Sequence, residues 1–235
     1  MASPNDGLRP VARPRLYEQV AEQIATWVAD NGLGAGDRLP PERDLATRLG
    51  VSRATVSQAL VALEVVGAVT VRHGDGAILT GGSGVRRITE AIREHAQRLP
   101  DVIDARDALE TKIAALAAQR RSDADADAID AALDGMEADI DAGGRGVAGD
   151  EQFHAAVTAA AHSTLLARMM AEISELVLET RIESLGQPGR PRDSLAAHRR
   201  IAAAIRAGDA DEAARAMHDH VEQVSDVAIL REPPA

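Results

Sequence analysis

The chain has 235 residues, enough for one large domain or two small ones, and its 45% hydrophobic and 27% charged residues are the balance of a folded globular protein. It has no cysteine, which excludes a disulfide framework, thiolate metal sites and cysteine nucleophiles, and its single Trp27, Tyr17 and Phe153 cannot fill a β-sandwich core. The 26 basic and 37 acidic residues give a formal charge of −11, but unevenly: residues 1–80 carry 8 Arg against 9 Asp plus Glu, and residues 81–235 carry 18 against 28. The first third, at net −1, is therefore free to hold a local basic face for nucleic acid. With neither a signal-peptide pattern nor a long uncharged apolar run, the chain reads as soluble and cytoplasmic, with no membrane partner.

After a start of about twelve residues that reads as disordered, Leu16, Val20, Ile24, Trp27 and Val28 repeat at helical spacing and predict a helix over Arg15–Asp30. A second helix starts at Pro41, places Leu45 and Leu49 on one face and ends at Gly50. A third begins at Ser52 as N-cap, with Val51 and Val56 at hydrophobic-staple positions and a buried stripe of Val56, Leu60 and Leu63. Two short β-prone runs, 69–72 and 77–80, flank His73-Gly74-Asp75-Gly76 and predict a hairpin. Gly81-Gly82-Ser83-Gly84 then suits a linker.

Three helices and a hairpin, with a short turn between the second and third helices, are the order of a winged helix-turn-helix, whose third helix enters the major groove. Stepping 100° per residue from Val56 turns Ala54, Thr55, Ser57 and Gln58 away from the core, and glutamine can make a bidentate contact to adenine. Arg53 is placed to meet a phosphate or guanine, with Arg43 and Arg48 adding charge beside it. His73 and Gly74 could enter a minor groove. The run LPPERDLATRLGVSRATVSQALVALEVVGAVTVRHGDGAIL, Leu39 to Leu79, with LYEQVAEQI before it, closely resembles the DNA-binding domain of GntR-family transcriptional regulators. The resemblance carries Arg43, Arg53, Thr55 and the His73-Gly74 tip onto DNA contacts, and the candidate set is Arg43, Ser52, Arg53, Thr55, Gln58, His73 and Gly74. Many members have Arg-Glu where this chain has Ser57-Gln58, so the resemblance implies no operator sequence.

Downstream of Gly84 the helical periods break at Pro100, Ser122-Asp123, Gly143-Gly144, His162-Ser163, the Gly186-to-Pro191 loop and Gly208-Asp209, which predicts about seven helices in an antiparallel bundle. Polar residues sit on core stripes. Arg106 interrupts Val102, Leu109, Ile113 and Leu116; it either plays a structural part, paired with Glu110 at i+4 or snorkelling to solvent, or binds a carboxylate. Asp150 and His154 share a helix face at i,i+4. His198 lies ten residues before Gly208 and His220 twelve after it, which in a helical hairpin puts them at nearly one height. A lone core histidine is generally a hydrogen-bonded one, but three with an aspartate make a set suited to zinc, nickel or manganese. By the same counting, His73, His95, His162 and His218 read as surface or loop residues.

The Arg106–Glu110 helix, Asp150-Glu151-Gln152-Phe153-His154, His198 before Gly208-Asp209, and His220 resemble the FCD effector-binding domain of the FadR subfamily of those regulators. The resemblance implies a metal, commonly zinc, helping to hold a small organic acid, with Arg106 as a candidate carboxylate partner. The fold expected is mainly α: a winged helix-turn-helix domain over 1–80, a linker at 81–84 and an antiparallel all-α, FCD-like bundle over 85–235. The function expected is a homodimeric, metabolite-responsive regulator, a repressor on a double-stranded DNA operator, with a small carboxylate metabolite as effector and metal ligands Asp150, His154, His198 and His220. The alternative is a helical metalloenzyme in which the Asp/His set activates water, although no HExxH, GxSxG or phosphate-loop pattern occurs. In a third reading the metal only staples the bundle.

Overall fold

The computed structural model describes residues 16–72, 76–80 and 85–225. The predicted disordered start, the His73-Gly74 wing tip and the 81–84 linker lie outside the described residues. Helix α1 (Leu16–Asp30) buries Tyr17, Val20, Ala21, Ile24 and Ala25, so its inner face is turned from the predicted stripe and leaves Leu16 exposed. Helix α2 (Glu42–Leu49) starts one residue later than expected, with Pro41 as its N-cap. It ends at Gly50, whose left-handed φ of 66° lets the chain turn at once into α3 (Arg53–Val65). Ser52 caps α3 by accepting from the Thr55 amide at 3.1 Å.

The wing pairs β1 (Val69–Arg72) with β2 (Gly76–Leu79), and its register matches Arg72 to Gly76. The hairpin loop is therefore three residues rather than the expected four, because Gly76 takes a positive φ of 77° and joins the strand. Arg38 adds a bridge to Ile78, and Leu39 donates to the Ala77 carbonyl at 2.9 Å, a third extended segment that the polar Gly-rich stretch before Pro40 did not signal.

The rest is helical: α4 (Val85–Arg120), α5 (Asp123–Asp141), α6 (Val147–Ala160), α7 (Thr164–Glu172), α8 (Ser174–Leu185), α9 (Arg190–Ala207) and α10 (Ala210–Ser225). Pro100 does not break α4. It is exposed, and the neighbouring Leu99 and Val102 are both buried, so packing on the inner face outweighs the roughly 3 kcal/mol cost of a proline in a helix interior. The 164–185 stretch, expected as one helix, divides at Ile173 into α7 and α8. Ser122 and Asp125 form a reciprocal capping box at the start of α5. Between α9 and α10, Gly208 is left-handed and the Glu212 amide donates to Asp209 Oδ1 at 2.9 Å.

Two apolar clusters organise these elements. One joins α1, α2, α3 and the wing and also takes Ile92 and Leu99 from the first half of α4. The other, around Ile113, Met136, Phe153, Val157, Ile201, Ile205 and Met217, is the core of the bundle, and Ile103 touches both. No described helix is long and apolar enough to cross a membrane.

Candidate metal centre and nucleic-acid interface

In the first cluster, burial of Val56, Ala59, Leu60 and Leu63 holds α3 by its inner face and leaves Arg53 and Ala54 exposed, with Thr55, Ser57 and Gln58 half-buried. Ser52 and Thr55 bond each other through their hydroxyls at 2.8 Å, so both are engaged in starting the helix. Arg43 and Arg53 share one cleft, whereas Arg48, expected beside them, lines a separate groove between α1 and α2. The reason is helical phase: five residues carry Arg48 to a different side of α2 from Arg43.

In the bundle, α6 supplies Asp150 and His154, α9 supplies His198 and α10 supplies His220, and all four are buried. One ligand atom from each lies within 4.8 Å of every other. His198 Nε2 is 3.2 Å from His220 Nε2 and 3.5 Å from Asp150 Oδ1, and His154 Nε2 is 3.9 Å from Asp150 Oδ2. Ligands at about 2.0–2.1 Å from a tetrahedral ion stand about 3.3 Å apart, and donors within 4.8 Å of one another are close enough to converge on one divalent ion.

The surroundings prepare these atoms. His154 Nδ1 faces Glu110 Oε2 at 2.9 Å, which favours the proton there and leaves the Nε2 lone pair turned to Asp150. Phe153, fully buried, stacks on His198 with ring centroids 4.2 Å apart. Burial holds His198 well below its ordinary value, and a proton there would also be repelled by any proton on His154 and by Arg181; burial does the same to His220, where a proton would be repelled by one on His198 or His154. Both imidazoles are therefore neutral and able to ligate. Burial alone would raise Glu110, but Arg106, His154 and Arg181 hold it well below the carboxylate range.

Of the two readings left open for Arg106, the ion pair is present: its Nε donates to Glu110 Oε1 at 3.0 Å and its Nη1 to Thr180 Oγ1 at 2.7 Å. Its Nη2 is buried without a hydrogen-bond partner among the described residues, a donor left over for an anion. Arg181 Nε stands 2.7 Å from Asp150 Oδ2, a second guanidinium at the centre.

Residues 101–223 match the FCD domain, and residues 16–79 match the bacterial regulatory proteins of the gntR family. The chain belongs to the GntR family. The Uxu operon transcriptional regulator of Escherichia coli is 30% identical to it, over 89% of this chain and 85% of that one. The HTH-type transcriptional regulator LutR of Bacillus subtilis is 31% identical, over 85% of this chain and 95% of that one. An uncharacterized HTH-type transcriptional regulator of Mycobacterium tuberculosis is 38% identical over 130 residues, and that match spans 54% of each chain. This chain is thus a GntR-type, metabolite-responsive transcriptional regulator rather than an enzyme, which removes the metalloenzyme alternative.

Sequence reasoning missed three residues of this GntR regulator. Thr180 and Arg181 lie on α8, where Val177, Thr180, Ser184 and Leu185 form the buried face; the 3–4 spacing was available as a signal, though not which core it faced. His95, expected at the surface, is buried, with Nδ1 2.9 Å from Glu179 and Nε2 2.9 Å from Glu183. The Glu179/Glu183 i,i+4 pair on α8 makes that niche, and only the fold brings it to α4. His162 and His218 are exposed, as expected, and pair with Asp125 and Asp107.

Proposed function

We propose that this GntR regulator is a cytoplasmic homodimeric repressor whose bundle holds a divalent transition metal, with zinc the first choice and nickel or manganese next, and a small carboxylate metabolite beside it. The observation that carries the reading is the convergence of Asp150, His154, His198 and His220 in a buried centre with two histidines kept neutral. A divalent ion held by these four residues would supply a Lewis-acid position for a carboxylate oxygen by taking more than four ligands, as nickel and manganese favour and zinc can.

The chain's own residues do the rest. Glu110 orients His154, Phe153 orients His198, Arg181 neutralises Asp150, and the spare Nη2 of Arg106 donates to the metabolite's carboxylate. On the DNA side, Arg43 and Arg53 meet phosphates or guanine, Gln58 reads adenine, and Ser52 and Thr55 hold the start of the helix against the backbone. The His73-Gly74 tip takes the minor groove. The domain division follows: DNA binding through residue 80, a linker at 81–84 and sensing beyond it. Two copies pair with a two-fold operator, and repression needs no more than occupancy of that site.

The test enriches a duplex from a random-sequence pool with the zinc-loaded chain and measures its release by a panel of small hydroxy and dicarboxylic acids. At least one acid is expected to weaken binding, and His198→Ala is expected to abolish that response while the variant still folds. If every acid that binds leaves DNA affinity unchanged, the sensing reading is wrong. If His198→Ala fails to fold, the metal is a staple instead.

A further inference from the structure

The helix proposed to read DNA is not free in this arrangement. Arg53 at its N-terminal end and Arg43 of α2 line a cleft of about 850 Å3 together with Asp139 near the end of α5 and Gly144 and Arg145 of the α5–α6 connection. A helix lying in a major groove has a phosphate strand along each flank, and here bundle residues line one cleft with the two arginines proposed to meet DNA.

Two contacts hold the C-terminal half of α3 there. Glu64 pairs with Arg145 Nη2 at 2.8 Å and, through Oε1, accepts from the Val71 amide of the wing at 2.8 Å, so one carboxylate joins recognition helix, wing and bundle. Separately, Gly186 at the end of α8 lies so close to α3 that a Cβ there would stand 2.5 Å from Val61 Cγ2. Both contacts lead back to the centre. Arg145 precedes Asp150 by five residues, through the first turn of α6, and Gly186 follows Arg181, which pairs with Asp150, by five.

We infer that Glu64–Arg145 and Val61–Gly186 form an autoinhibitory clamp, in which the bundle holds α3 in a position that has to open before the helix enters DNA. The inference rests on the DNA-reading role proposed above for α3. Glu64→Gln keeps an oxygen for the Val71 amide and weakens the ion pair. Gly186→Ala, neutral in charge, inserts a methyl between α8 and α3.

Wild-type and Glu64→Gln full-length chains are each used to enrich a duplex from a random pool, and all three proteins are titrated against it over a range of salt, with circular dichroism melts alongside. The clamp predicts binding tighter by about fivefold or more in both variants, with an unchanged salt slope, because wild type and variants meet DNA in the same opened arrangement with the same phosphate contacts and differ only in the cost of opening. Unchanged or weaker binding by folded Glu64→Gln overturns it. So does a gain confined to Glu64→Gln with a steeper salt slope, which is a charge effect alone. If Gly186→Ala does not fold, the affinity and salt slope of Glu64→Gln decide. If neither chain enriches a duplex, the DNA-reading proposal itself fails and the clamp falls with it.

Discussion

His198 and His220 stand with Nε2 atoms 3.2 Å apart in a site closed to solvent, a spacing that two imidazolium cations could not sustain. Both are held below their ordinary value near 6.5, so their contribution to stability is present above that pH and declines as acid protonates the unfolded chain first. Acid also competes with a metal for the same lone pairs. Denaturant melts between pH 7.5 and 5 are expected to lose stability with falling pH, and the His198→Ala, His220→Ala double variant is expected to lose less. Equal slopes would mean these rings do not titrate with folding. The four converging residues were legible in the sequence because helical rise and the i,i+4 rule act along one chain segment or one hairpin. Arg181 and His95 were not, because what makes each of them special lies on another helix.

At the scale of elements, Gly149 shows how tightly the centre is positioned. It sits one residue before Asp150, and a Cβ there would stand 2.5 Å from Met136 Cα on α5, a backbone atom that cannot turn aside. Gly149→Ala is expected to cost about 1–3 kcal/mol in a denaturant melt and to weaken metal binding, since it forces α6 off α5 and so displaces its two candidate ligands relative to those on α9 and α10. An unchanged melt would show that α5 and α6 separate at no cost. The caps were readable where a local rule decides the outcome: Ser52 on α3, Ser122 on α5 and Gly208 between α9 and α10. Where tertiary packing decides, the reading erred. Pro100 stays inside α4 because both neighbouring apolar residues are buried, and Leu16 is exposed because the α1 face is set by Tyr17 and Ala21.

At the scale of the whole molecule, α4 is shared between two cores: Ile92 and Leu99 belong to the DNA-binding cluster and Ile113 to the bundle. His95 lies in the first of these stretches and is gripped by Glu179 and Glu183 of α8, with Arg98 also pairing with Glu179. Burial would lower His95, but its two carboxylate partners raise it above 6.5, so its contribution is fully present below that pH and is lost as pH rises through the raised value. His95→Gln is therefore expected to flatten the loss of stability on the alkaline side while leaving the acid limb unchanged; an unaltered alkaline limb would mean the imidazolium bridge adds nothing.

The proposed sensing role requires first that the buried centre of Asp150, His154, His198 and His220 holds a metal. Metal content of the purified chain, by mass spectrometry beside the His198→Ala, His220→Ala double variant, tests that claim most directly. About one divalent metal per chain, lost in the double variant, is the result predicted by the convergence of the four buried ligands. A wild-type chain that stays free of metal after zinc, nickel or manganese is supplied would contradict it and return the three histidines to the core.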